Sequence, residues 1–496
     1  MIVVNLSLQK LNLTKSSMQT KSIIPRIAAF LLACASFSEP MWAADLVWTN
    51  TLGGNWGNAA NWHPNQVPDP LDAVWITNSG SYTVSVNANA TVSSLMIGGA
   101  QGTQSLNLAA GVFTLNGVGI GNSHALVGLA GGTFSGTGVL ILEGPLDWTD
   151  GLITGNVQCN GGSISGTAVK ELRGGRLVNM GVMGFSHNPA FGAPFYTGSG
   201  SVISNTPGGI FEILSDAGTS FNNVGPRGII NNSGIWRKTA GTGLSTLNDT
   251  FNNTGTVEAG SGVLALANGG SNSGTNSAMG GGRLDFSGGT HNIEAGSRIV
   301  GDGTVGSSGG TVNLSGTCNL PGTMLVNGGT MNFNSGTVAS VGTLTVRDGI
   351  LGGSGWVAVG GGLGWTGGAI TGNVQCNGGS ISGTAVKELR GGRLVNMGVM
   401  GFSHNPAFGA PFYTGSGSVI SNAPGGIFEI LSDAGTSFNN VGPRGTINNS
   451  GIWRKTAGTG LSTLNDTFNN TGTVEAGSGV LALANGGNNS GTNSAM

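Results

Sequence analysis

Between residues 284 and 370 short apolar stretches recur every six or seven residues, separated by Gly, Ser, Asn or Thr. Every third stretch lines up. One series reads Leu284, Val305, Leu325, Leu344, Leu363, a second Ile293, Val312, Met331, Ile350, Ile370, and a third Ile299, Cys318, Val338, Val357. Within stretches apolar and polar positions alternate, as in Val312-Asn-Leu314 and Met331-Asn-Phe333, so each strand buries one face. Three interleaved series with a common step near 19–20 predict coils of three short strands, stacked as a parallel β-helix. Each coil then hides its apolar face only against its neighbours.

A longer period overlies this one. Residues 148–279 recur as 365–496, an offset of 217 (365 − 148), with substitutions Asp150/Gly367, Leu152/Ala369, Thr206/Ala423, Ile229/Thr446 and Ser271/Asn488. The likeness continues faintly upstream, where Gly136-Thr-Gly-Val-Leu matches Gly353-Ser-Gly-Trp-Val. The second copy stops at the counterpart of Met279, so the chain is expected to be truncated. Residues 98–496 are read as one elongated solenoid and 45–97 as its N-terminal cap.

The first 44 residues read as a secretory signal peptide. Lys21 and Arg26 precede the apolar run Ile27–Phe37, which is too short to span a bilayer, and Ala43 and Ala44 offer a cleavage point. Met18 is an alternative start, and Leu31-Leu32-Ala33-Cys34 a minority lipoprotein reading. The expectation is a secreted or outer-surface bacterial protein without a transmembrane helix in the mature chain.

Composition explains the corners. Gly is 95 of 496 residues, and sharp corners favour φ > 0, which Gly adopts freely and Asn tolerates. Asn205, Asn232 and Asn253 each precede a Gly by two or three places, where stacked amides can hydrogen-bond from coil to coil. Charged residues are only 8% and the net charge is −2, which leaves no electrostatic footprint for nucleic acid. Cys159, Cys318 and Cys376 show no metal-ligand spacing and are read as small buried residues. No cofactor or metal is expected.

Two regions are candidates for ligand contact. Trp48, Trp56, Trp62 and Trp75 crowd the cap, where they either shield the first coil or stack on sugars, with Trp56 and Trp62 as contacts. The segment 183–200, repeated at 400–417, holds two prolines and is read as a projecting loop. Its candidate contacts are His187, Phe191, Phe195 and Tyr196, with His404, Phe408, Phe412 and Tyr413 in the second copy. The entry pattern Trp48…Gly53-Gly-Asn-Trp56…Asn61-Trp62…Asp72-Ala-Val-Trp-Ile76, with Gly329-Thr-Met-Asn-Phe and Gly281-Gly-Arg-Leu-Asp-Phe, resembles the large β-strand-repeat proteins that bacteria secrete. These are akin to autotransporter passengers and filamentous adhesins. The resemblance implies a right-handed parallel β-helix, export, and a structural or adhesive role, with surface glycans, other cells or matrix as partners and self-association open.

A carbohydrate-binding surface protein is the alternative, and a catalytic reading a lesser one, because polysaccharide lyases and hydrolases also use β-helices. Catalysis needs carboxylates converging on one face. Glu212 and Asp216, four apart and recurring as Glu429 and Asp433, are the candidate pair. The expectation is a protein without catalytic activity.

Overall fold

A computed structural model describes residues 43–186, 195–403 and 412–495. Strand makes up 58% of the chain, in parallel coils stacked as a β-solenoid of about 19 turns. Among the described residues the single helical element is a 3-10 turn at Ala59–Asn61, and the single antiparallel pairing joins Trp62–His63 to Asp45–Trp48.

Each coil has three strands, one per face. In the first copy one face, here the groove face, stacks Lys170–Arg173, Phe195–Gly198 and Thr219–Phe221. The asparagine face stacks Arg176–Asn179, Val202–Asn205, Ile229–Asn232 and Thr250–Asn253. The third face stacks Val182–Phe185, Ile210–Ile213, Ile235–Lys238 and Thr256–Ala259.

Alternation works as expected. Leu140, Val157, Leu177, Ile203, Ile230 and Phe251 form one inward column in register, each at most 1% exposed. Full burial of such a side chain is worth about 1.5–3 kcal/mol. On the third face Phe211 and Trp236 stack with centroids 3.9 Å apart, and Phe428 and Trp453 repeat the contact at 4.0 Å.

The expected register needs correction at several points. Val305 pairs with Met324 rather than Leu325, and Val341 follows Leu320, which carries Ala339 inward and leaves Val338 58% exposed. Leu351, not Ile350, faces the core, and Ile293 pairs with Leu314 rather than Val312. Because the side-chain period is two, a slip of one residue exchanges inside for outside. The step also varies more widely than 19–20: Val139 pairs with Asn156, but Asp45 pairs with Ala73.

The asparagines form a continuous buried ladder. Asn179 donates to Asn205 (2.8 Å), Asn205 to Asn232 (2.8 Å), Asn232 to Asn253 (2.7 Å) and Asn253 to Asn272 (3.3 Å). Asn396, Asn422, Asn449 and Asn470 repeat it. Each amide also donates to backbone carbonyls at the corner, as Asn205 does to Gly209 (3.1 Å) and Ile235 (3.0 Å). Glycine follows the ladder for a reason other than φ. A Cβ on Gly234 would lie 2.1 Å from the Gly209 carbonyl oxygen of the coil beneath. The corner is a close approach of backbones, and only Gly fits.

At the N-terminal end Trp48, Trp56 and Trp62 lie inside. Trp48 and Trp62 meet edge to face at 4.9 Å, Trp56 and Trp62 at 4.8 Å, and Trp56 reaches Phe113 at 5.4 Å. The Trp62 Nε1 donates to the Trp56 carbonyl (2.8 Å). Asp45–Trp48 pairs with Ala73–Ile76 on one side and with the returning Trp62–His63 on the other, which covers part of an otherwise free edge.

Candidate functional site

Outward positions on the groove face gather the most varied chemistry. The period of two puts Glu171 and Arg173 on the same outward side of one strand. Arg173 grips the Glu171 carboxylate through Nε (2.8 Å) and Nη2 (2.6 Å), the fork geometry that suits guanidinium and carboxylate. Tyr196 sits directly across on the next coil and Ser220 on the one after. The Asn222 side-chain amide donates to Glu171 from two coils away.

Val169, Phe221, Asn223 and Val224 complete a cleft of about 380 Å³ with these residues. Asn223 has φ +59° and Ser199 beneath it +50°; their copies Asn440 and Ser416 have +57° and +52°. These four are the positive-φ residues other than Gly among the described residues. Ser199 N–H donates to the Val224 carbonyl (2.8 Å), tying the two turns together. Arg227 lies over the Phe221 ring at 4.6 Å and donates to the Asn248 carbonyl (3.0 Å).

The second copy keeps the Glu388–Arg390 pair, with Tyr413 across from Glu388. Its Asn439 Nδ2 is buried without a partner, unlike that of Asn222. Two of the substitutions between copies fall beside this site. Leu152 pairs with Glu171 where Ala369 pairs with Glu388, and Asp150 becomes Gly367. The smaller residues accompany a cleft of about 570 Å³ lined by Arg347, Asp348, Ile350, Ala369, Glu388 and Arg390.

Lys170 and Lys387 reach inward from the same strands and are fully buried. Burial pulls the Lys387 ammonium down to about 8. It also lowers Lys170, against the opposing charge of Asp150. Beneath the groove Asp249 is 1% exposed and accepts from Thr219 Oγ1 (2.5 Å). Burial pushes its carboxyl up, opposed by hydrogen bonds from Thr197 and Thr219 and by the charge of Arg227.

The structure disperses much of what the sequence suggested. Trp56 and Trp62 are 3% and 1% exposed, so a sugar in solvent does not reach their faces. Phe195 and Phe412 are core residues rather than tips of a projecting loop, since each lies inward on a groove-face strand. Tyr196 and Tyr413 do face outward and are half-buried. His187, Phe191, His404 and Phe408 lie outside the described residues. Glu212 and Asp216 do not act as a pair. Glu212 bonds Arg237 Nε (2.9 Å), whereas Asp216 bonds the buried Lys238 Nζ (2.9 Å). Lys238 holds the Asp216 carboxyl below its ordinary range.

Sequence reasoning missed Arg173, Phe221 and Asn222. The available signal was the Glu-Leu-Arg alternation at 171–173, which marks two charges on one strand face. Among the described residues no group of His, Cys, Asp and Glu is placed to hold a metal ion, and no helix is long and apolar enough to cross a membrane. No protein-family model, curated protein or solved structure matches the chain.

Proposed function

We propose that the chain is a secreted or cell-surface β-solenoid with a structural and adhesive role and no catalytic activity. The observation that carries this reading is an outward Glu–Arg pair on a rigid stack of coils, repeated 217 positions on (388 − 171) and each time at the edge of a cleft. A ladder of buried amides and continuous inward columns gives a scaffold with few routes to local motion. Clefts carried on such a scaffold suit contact with a repeating surface, where several weak sites add up.

Carbohydrate binding is a second reading, favoured by the composition of the cleft: a fixed carboxylate, a guanidinium, a side-chain amide and a phenol. The N-terminal run up to Ala44 and the resemblance to secreted strand-repeat proteins support export. The test is retention of the full chain on intact bacterial cells and on matrix-coated surfaces, beside an assay for sugar release from polysaccharides. Retention without release is expected; release of oligosaccharides overturns the non-catalytic assignment.

A further inference from the structure

The two clefts do not face the same way. Traced backwards through its strand pairings, Glu388 lies in register with Ala369, Ile350, Thr330, Thr311 and Thr290. The strand Thr290–Ile293 pairs with Gly270–Asn272, and that with Thr250–Asn253, which belongs to the asparagine face of the first copy. Glu171 is on the groove face. A second column agrees. Asn396 leads back through Cys376, Val359 and Val341. From there it runs through Thr317–Phe333, Arg298–Val300 and Thr275–Ala278 to Thr256–Ala259, on the third face rather than the asparagine face. The 217-residue unit therefore spans ten coils and one strand, and the second copy is turned by one face. In a three-sided coil that is about a third of a turn, and ten coils place the clefts about 50 Å apart along the stack.

We infer that the Glu171 and Glu388 clefts are two binding sites for neutral oligosaccharide, aimed at adjacent sides of the solenoid, so that one chain bridges separate glycan surfaces. This rests on the adhesive reading above and names its ligand and geometry. Arg173 uses Nε and Nη2 on Glu171 and keeps further N–H donors for a ligand; the carboxylate keeps lone pairs for hydroxyl donors. The charges lining each cleft cancel formally, Glu171 against Arg173 in one and Asp348 and Glu388 against Arg347 and Arg390 in the other, which favours a neutral polyhydroxylated ligand over an anion. Tyr196 and Phe221 supply aromatic surface in the Glu171 cleft, and Ile350 and Val386 supply apolar surface in the Glu388 cleft.

The test uses the full chain with neutral hexasaccharides of β-linked glucose, α-linked glucose and N-acetylglucosamine, and with a hexuronate. Calorimetry is expected to give two sites per chain for a neutral probe. Glu171→Gln and Glu388→Gln should each leave one site, and the double variant none. Tyr196→Ala, checked for folding by circular dichroism, should remove the Glu171 site alone without touching charge. Absence of neutral binding, or tighter binding of the hexuronate, overturns the ligand assignment. Beads carrying the bound sugar should be bridged by the unmodified chain and by neither single variant. On a flat film the unmodified chain should dissociate no more slowly than the single variants. Residence more than about tenfold longer, the avidity of two sites facing one plane, overturns the geometry. Cell adhesion that survives in the double variant overturns this site while the adhesive reading stands.

Discussion

Asn232→Ala tests the amide ladder where it is most complete. Asn232 is 1% exposed. Its Nδ2 donates to Asn253 Oδ1 (2.7 Å), to the Thr256 carbonyl (2.9 Å) and, more weakly, to the Gly234 carbonyl (3.3 Å). Its Oδ1 accepts from Asn205 (2.8 Å). Truncation to Ala removes three good bonds and leaves Asn205 with one donor contact fewer and Asn253 with an orphaned acceptor. A net bond is worth about 1 kcal/mol, and a buried polar group left unpaired costs about 1–3 kcal/mol, so the loss should be about 3–5 kcal/mol. The chain carries its own control. Asn231, one residue away, points outward and accepts from Asn252 (3.1 Å) in solvent, so Asn231→Ala should cost about 0.5 kcal/mol or less.

The coils are coupled mainly to their neighbours, so unfolding of the whole chain need not be two-state. Hydrogen exchange read peptide by peptide over 202–259 is the right assay, supported by urea titration followed through Trp236 on the adjacent face. Asn232→Ala with Asn253→Ala should cost less than the sum of the two single changes, because the second removes the orphan created by the first. Equal losses from Asn231→Ala and Asn232→Ala, or strict additivity of the ladder pair, would refute the view that the ladder holds this face together.

Three further outcomes follow from buried titratable groups. Lys387 releases its proton near 8 in the folded chain but near 10.5 when unfolded. Below pH 8 its burial penalty is fully present, so local stability should rise with pH from about 8 to about 10.5; Lys387→Met should remove that rise in a melting series. Asp249 keeps its proton in the folded chain to a higher pH than when unfolded, so stability is lost as pH rises from 3.8 through the folded value. Asp249→Asn should remove that fall, and an unchanged pH slope would show that the carboxyl is not responsible. Burial pushes the Cys159 and Cys318 thiols up to about 12 and Cys376 up to about 11. None of the three should react with iodoacetamide at pH 8 until denaturant is added, whereas labelling of the native chain would contradict their placement.

The parallel solenoid was legible because period-two strands and a recurring three-strand step leave few other ways to bury Val312, Leu314, Met331 and Phe333. The ladder was legible too, since Asn205, Asn232 and Asn253 recur at the spacing of the coil. Register was not. Where two apolar residues adjoin, as at Met324-Leu325 and Ile350-Leu351, alternation cannot say which is inside, and packing against the neighbouring coil decides it. The tryptophans of 48–75 were open between core and surface because an indole serves either purpose; edge-to-face packing around Trp62 draws three of them inward, while Trp75 remains 37% exposed. The cleft was hidden for a different reason. Glu171, Tyr196 and Asn222 belong to three successive coils, and only the exact strand pairing brings them side by side.

The extra strand in each unit also bears on how such a chain lengthens. Trp148 sits in register with Leu129 and Ile164, whereas its copy Trp365 sits with Val346 and Ile381, in another column of the stack. A duplicated segment has thus been spliced into a foreign column and still folds. The three sides are interchangeable sockets, and inheritance here is quantised in strands rather than in coils. Unequal recombination between near-identical copies would then add or delete whole units of ten coils and one strand, which keeps the inward alternation of each strand. Each event rotates everything downstream, so a change in copy number redraws the map of exposed surfaces while altering no residue on them.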